Sequence, residues 1–361
     1  MIKPIAVIGA GGFVGARMVE RAELRGDVPI VPIVRSQRSQ GRLARFGACT
    51  VLGDAGDPAS LVPLFKGCGM VVNLTLGNDE RIAGDVESIL SACEQADVPL
   101  FVHMSSAEVF GRADGPDVSD DAVADTPHWM EYAHGKRAAE AWLRSHSDGP
   151  VKVVMLRPGL VWGPGCGWLV DPAQALVDGT AYLFNGGRGI CNLIHVDNLI
   201  EHLIVLAKSP PSRSAIYNVS DLETLSWTDY YHAIAREVGV DPSTIWMLDA
   251  SAFHEGRLQK TLSKVTNIAP ARAVKRRLSG DIKGRIKQEL KDRFSPPISE
   301  VQPIEPQPAV TKSFWWLQGT VQKVPSAKFA EHHPEMQLQS FEDLMAASGR
   351  WLRYAGFEAR E

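Results

Sequence analysis

Short apolar runs recur through the first 160 residues, at Ile5–Ile8, Ile30–Val34, Met70–Leu74, Leu100–Met104 and Val151–Leu156. Runs of this length without polar alternation predict strands covered on both faces. Between them lie amphipathic stretches at about 13–25, 58–66, 80–96 and 128–146, long enough to predict helices. Such alternation predicts an α/β fold with a doubly wound parallel sheet. Leu193–Val196 and Ile216–Val219 predict further strands, and Ser226 with Thr228-Asp229 predicts the cap of a helix running towards Val238. Past about residue 160 the pattern loses regularity. The expected division is therefore a regular unit at 1–165, to which elements near 190–220 return, and a smaller, mainly C-terminal α/β lobe at 166–361. No internal repeat is evident.

Composition then narrows the class. Of 361 residues, 45% are apolar and 22% charged, with net charge -4, the profile of a soluble globular chain without a global attraction to nucleic acid. No apolar run approaches the roughly 18 residues of a spanning helix, and the first strand begins almost at the initiator, so a cytoplasmic protein without signal peptide is expected. Cys49, Cys68, Cys93, Cys166 and Cys191 are scattered and lack C-x-x-C spacing, which predicts reduced thiols. His332-His333 has no third ligand at metal spacing, so no metal is expected. A basic and proline-rich insertion at about 250–325 departs from this balance. Arg257 to Arg293 carries about a dozen Lys and Arg against Asp281, Glu289 and Asp292, and Pro296, Pro297, Pro303, Pro306 and Pro308 follow. One reading is a solvated helix and a semi-rigid linker. The other is a lid, or a surface for an anionic substrate or lipid headgroups, with peripheral membrane contact through 257–293.

Gly9-Ala10-Gly11-Gly12-Phe13-Val14-Gly15 follows the first strand and opens the first helix. Glycines there let the backbone turn tightly and bring a pyrophosphate onto the amides of a helix N-terminus, which points to a dinucleotide. An acidic residue ending the second strand would bind the ribose 2′-hydroxyl of NAD; this chain has Val34-Arg35-Ser36. Arg35 and Ser36 suit a 2′-phosphate and favour NADP over NAD, the alternative being a surface charge or a stack on adenine. Asp54 is placed to reach the adenine amino group, or simply to form a turn.

Tyr132 and Lys136 stand four residues apart, hence on one helix face. A tyrosine with pKa near 10 is a poor base at neutral pH, and a neighbouring ammonium lowers that value. The pair follows by about 25 residues a strand that ends in Ser105-Ser106, where open parallel sheets bind ligands. Ser106 can hydrogen-bond a substrate oxygen while Tyr132 exchanges a proton with it.

These residues resemble the extended short-chain dehydrogenase/reductase family, also called the NAD-dependent epimerase/dehydratase family. The likeness covers nearly the whole chain: the glycine loop, Gly53-Asp54, Ser105 to Gly111, Tyr132 to Lys136, Leu156-Arg157-Pro158-Gly159 through Gly165, Ile194 to Asn198, and Tyr217-Asn218-Val219. The resemblance implies a Rossmann domain, a C-terminal substrate lobe and a homodimer built through a helix bundle. It also implies a catalytic triad of Ser106, Tyr132 and Lys136, and a cofactor set of Gly9, Gly12, Phe13, Val14, Gly15, Arg35, Ser36, Asp54, Lys136 and Pro158.

Departures from the sugar-nucleotide pattern shape the choice of chemistry. Where such members place a pyrophosphate-gripping arginine this chain has Cys191, and Arg188 is the nearby substitute. Asn198 replaces the usual aspartate. Glu108 matches the position of a dehydratase base, although Ala107 replaces the aspartate of the 4,6-dehydratases; its plainer role is to structure the loop before Gly111. His195 reads as a structural hydrogen-bonding histidine. The first expectation is an NADP-preferring enzyme interconverting a ketone or aldehyde and an alcohol on a small or lipidic substrate. The alternatives are a nucleotide-sugar epimerase or dehydratase with transient hydride transfer and, less favoured, a dinucleotide sensor without catalysis.

Overall fold

The computed structural model describes residues 2–26, 28–76, 81–112, 117–122, 128–252 and 306–359. The basic segment 257–293 lies outside the described residues. In the first half, strands β1 (Ile5–Ile8), β2 (Ile30–Val34), β3 (Val51–Leu52), β4 (Met70–Asn73), β5 (Leu100–Met104) and β6 (Lys152–Pro158) alternate with helices α1 (Phe13–Arg25), α2 (Gln37–Leu43), α3 (Pro58–Phe65), α4 (Ile82–Gln95) and α5 (Glu131–Ser145). Next come β7 (Leu160–Trp162), α6 (Gly167–Val177), β8 (Tyr182–Phe184), β9 (Ile190–Cys191), β10 (Leu193–His195), α7 (Val196–Lys208) and β11 (Ala215–Val219). The C-terminal part contributes β12 (Leu225–Ser226), α8 (Trp227–Val238), β13 (Trp246–Leu248), α9 (Lys312–Gln318), α10 (Ala327–His332) and α11 (Phe341–Tyr354).

Seven strands form one sheet in the order β11-β6-β5-β4-β1-β2-β3, and every pair is parallel. The two-residue period of a strand separates its side chains onto two faces. Ile5, Val7, Met70, Val72, Leu100, Val102, Val154 and Leu156 pack on one face with Met18 and Val19 of α1 and Leu199 and Leu203 of α7. Ala6, Ile8, Val71, Phe101, Val153 and Met155 pack on the other with α3, α4 and α5 through Leu61, Phe65, Ile89, Leu90 and Leu143. Burial on both faces explains the unbroken apolar runs.

Local chemistry sets the helix ends. Asp57 caps α3 through its carboxylate, with Pro58 at the first helical position. Ser226 and Asp229 close a reciprocal capping box on α8, as the sequence predicts. The predicted strand at Leu193–Val196 stops at His195 and pairs in parallel with β7, outside the central sheet, while β11 joins that sheet beside β6. A further core lies apart from the two faces of the central sheet: Trp162, Leu169 and Leu176 meet Trp227, Tyr230, Leu344 and Leu352. Among the described residues no helix is long and apolar enough to cross a membrane.

Candidate active site

The carboxyl ends of β1, β2 and β4 open onto a cleft of about 570 Å³ whose lining includes Gly9, Gly11, Gly12, Arg35, Ser36, Ser39, Asp54, Thr75 and Asp85. Two glycines shape it. Gly9 sits at φ +84°, and a Cβ there would come within 2.9 Å of the Leu74 carbonyl carbon; at Gly15 a Cβ would collide with the Gly9 oxygen. Helix α1 therefore packs tightly against the turn, with Gly12 as its N-cap and Phe13, Val14 and Gly15 in its first turn. A backbone cradle of this shape, at a helix N-terminus, fits a dinucleotide pyrophosphate.

At the far end of this cleft Arg35 is exposed and free to face a ligand. The Ser36 hydroxyl caps α2, accepting from Ser39 N–H at 3.3 Å and lying 3.1 Å from Ser39 Oγ. Asp54 accepts from Gly56 N–H at 3.0 Å, so its turn-forming role and its place on the cleft coexist. Arg81 stands 3.5 Å from Asp54 and 3.2 Å from Asp85. Burial pushes the Asp85 carboxyl up, against the opposing pull of Arg81.

The adjacent serines have different tasks. Ser105 is buried and donates to Glu140 Oε1 at 2.5 Å. Ser106 is half-buried, and its Oγ accepts from Glu108 N–H at 3.2 Å, which leaves its own hydrogen for another acceptor. Tyr132 lies in the first turn of α5, and the Lys136 Nζ lies 5.8 Å from its ring centroid while donating to Met104 O at 2.6 Å. Only 2% of Lys136 is exposed, and burial lowers its pKa to about 8 despite the opposing pull of Glu140. Glu140 continues the same four-residue spacing as Tyr132 and Lys136. Arg157 grips its carboxylate with Nε at 2.8 Å and Nη2 at 2.6 Å, donates to the carbonyls of Asp120 and Ala122, and lies over Phe110.

A second cleft, reached by Ser106, Pro158 and Glu108, is lined by Phe110, Val118, Leu160, Trp227, Trp316, Asn192 and Gln322 among others. The chain from α9 to Val324 roofs it. Arg112 lies over the rings of Trp315 and Trp316 and donates to the carbonyls of both, satisfying the end of α9. Asn192 fastens the next stretch like a strand partner, donating to Gln322 O at 2.9 Å and accepting from Val324 N–H at 3.0 Å. Gln318, also buried, accepts from Phe184 N–H and donates to Tyr182 O.

A family model described as the NAD dependent epimerase/dehydratase family matches residues 5–220, from β1 through the end of the central sheet. The chain belongs to the NAD dependent epimerase/dehydratase family. A 2-alkyl-3-oxoalkanoate reductase of Shewanella oneidensis is 23% identical over 286 residues, covering 72% of this chain and 73% of the relative. A UDP-glucose 4-epimerase of Vibrio cholerae is 25% identical over 264 residues, covering 69% and 79%. The fold is shared with a dTDP-glucose 4,6-dehydratase of Streptomyces venezuelae solved with NAD, at 17% identity, 97% coverage of both chains and a TM-score of 0.66. It is shared equally with a UDP-glucose 4-epimerase of Thermus thermophilus in complex with NAD, at 16% identity, coverage of 98% and 99%, and a TM-score of 0.65.

Four predicted or compared positions, Cys191, Arg188, His195 and Asn198, lie apart from the second cleft's lining. Cys191 is buried in the lobe core, and burial raises its thiol pKa. Arg188 is exposed in the turn after β8 and does not line the cleft beside Ser106. His195 caps α7, its Nδ1 accepting from Asp197 N–H at 3.1 Å, and burial lowers its pKa to about 4, as suits a neutral structural imidazole. Asn198 donates to Asp221 Oδ1 at 2.7 Å, and Asp221 also receives Trp162 Nε1–H and His195 N–H, so this amide braces the start of α7. Sequence reasoning gave no role to Glu140 and His128, and Arg157 entered it only within the Leu156–Gly159 run. The first carries a signal, the continued spacing from Tyr132; the other two meet their partners only through the tertiary fold.

Proposed function

We propose that this protein is an NADP-preferring oxidoreductase that interconverts a ketone or aldehyde and its alcohol on a small or lipidic substrate. The observation that carries the reading is the cleft beside Ser106, whose lining is largely apolar and in which Glu108 is the one charged side chain among the described residues. A nucleotide-sugar pyrophosphate calls for cationic donors, and the described lining offers none. The reductase relative from Shewanella reduces, by its name, a 3-oxo group; that carbonyl chemistry is what carries over, whereas its named substrate is a carboxylate and this cleft presents Glu108.

The bound nicotinamide supplies or accepts the hydride. During reduction Tyr132 Oη gives a proton to the substrate oxygen, and during oxidation it takes that proton back. Lys136 stabilises the phenolate by its charge, while Ser106 Oγ donates to the same substrate oxygen. Glu140 and Arg157 hold Ser105 and the helix face beneath these groups. Arg35, with the hydroxyls of Ser36 and Ser39 beside it, recognises a 2′-phosphate.

Paired calorimetric titration of nucleotide-free protein with NADPH and NADH tests the cofactor assignment. NADPH binds at least about tenfold more tightly, and Arg35→Ala abolishes the difference. Equal affinities, or a preference for NADH untouched by Arg35→Ala, contradict the assignment. The epimerase relative from Vibrio supports a second reading. Co-purified, tightly held NAD with no net redox turnover would favour it.

A further inference from the structure

Among the described residues lining the cleft Glu108 is the one with a charged side chain, and the fold supports it with a dedicated partner. His128 Nε2 lies 3.0 Å from Glu108 Oε2. The side chain of His128 is fully buried, and that of Glu108 is 20% exposed towards the cleft. On the other side of the ring, His128 Nδ1 accepts the Met130 backbone N–H at 3.0 Å. An imidazole nitrogen that accepts a backbone N–H carries no proton, so the ring hydrogen sits on Nε2 and points at the carboxylate. The ring also meets Trp316 of the roof edge-on, with centroids 5.3 Å apart, and the His128 carbonyl accepts from His134 Nε2. Tautomer and orientation are thus set before any substrate arrives.

We infer that Glu108, positioned by His128, selects the substrate: it accepts a hydrogen bond from an O–H or N–H donor close to the carbonyl and turns away anions. A carboxylate on a largely apolar wall keeps oxygen lone pairs that only a donor can satisfy. A carboxylate or phosphate brought to it meets like charge where water screening is weak. The substrate class is therefore a neutral carbonyl compound with an adjacent hydroxyl or amide, whose carbonyl oxygen meets Ser106. The inference rests on the carbonyl-binding reading of this cleft. It concerns recognition, so binding can test it apart from hydride transfer.

The probes are hexanamide and hexanoate, near-isosteres that differ in charge and in the donor, titrated calorimetrically into protein saturated with NADP. Wild type binds hexanamide more tightly than hexanoate by at least about tenfold. Glu108→Gln keeps the side-chain shape without the charge and brings the two within about threefold. His128→Phe fills the space under Trp316 without the donor and weakens hexanamide by about tenfold, while His128→Gln, which retains an N–H, restores most of the loss. A structural defect alone would not change the amide-to-carboxylate ratio. The inference is overturned if wild type takes hexanoate as well as hexanamide, if it binds neither, or if the ratio does not move in Glu108→Gln. Failure of the redox reading shows separately, as absent NADPH consumption in protein that still prefers the amide.

Discussion

Tyr132 and Lys136 share one face of α5, and burial controls the charge of Lys136. With Lys136 at about 8 in the folded protein and 10.5 as its ordinary value, the unfolded chain holds more protons between those values. Stability of the nucleotide-free protein therefore rises with pH across that window, and below about 8 the buried ammonium costs stability. Denaturant titrations at a series of pH values will show this rise, and Lys136→Met will flatten it. Tyr132→Phe removes the transferable proton and leaves the glycine cradle intact. Turnover then drops by about 10²- to 10⁴-fold with cofactor affinity unchanged, measured by initial rates and calorimetry. Ser105 and Ser106 were read as a pair from the sequence. Their separation into a buried brace and a cleft-facing donor depends on Glu140, which arrives from another element.

At the scale of elements, the roof from α9 to Val324 decides whether the second cleft exists. Asn192 uses both ends of its amide on this stretch, so Asn192→Ala leaves a carbonyl and an N–H to find new partners, at a cost of about 1–2 kcal/mol. Denaturant unfolding reads that loss. In turnover the same variant raises KM more than it lowers kcat, because Asn192 holds the wall and not the reacting groups. Central strands were legible because two-sided burial leaves a run of apolar residues, as at Leu100–Met104. The roof was not legible. Trp315 and Trp316 carry no signal of their own in the sequence, because the Arg112 that stacks on them lies some 200 residues earlier. Strand β10 misled for a related reason: its apolar run pairs with β7 in the second lobe, and length alone does not tell one sheet from another.

For the whole molecule, acid is the weak direction. Burial holds His195 and His202 at about 4 and His103 well below its ordinary value, so all three are neutral in the folded protein. Their ordinary value is 6.5, so between about 6.5 and 4 the unfolded chain binds more protons. Stability is complete above that range and is lost as pH falls through it. Thermal unfolding midpoints will fall across this interval, less steeply in His202→Leu, since the His202 Nε2 has no hydrogen-bond partner among the described residues. The architecture places two clefts on the family scaffold: one at the ends of β1 and β2 that carries the glycine cradle, and another beneath the C-terminal roof beside Ser106, which the proposed function assigns to the carbonyl compound.

The most direct measurement of the central claim follows the absorbance of NADPH while neutral ketones and aldehydes with a neighbouring hydroxyl or amide are supplied, with product quantified in parallel. One alcohol forms for each NADPH consumed, and the rate collapses in Tyr132→Phe. Interconversion of a nucleotide sugar with no net change in cofactor would contradict it.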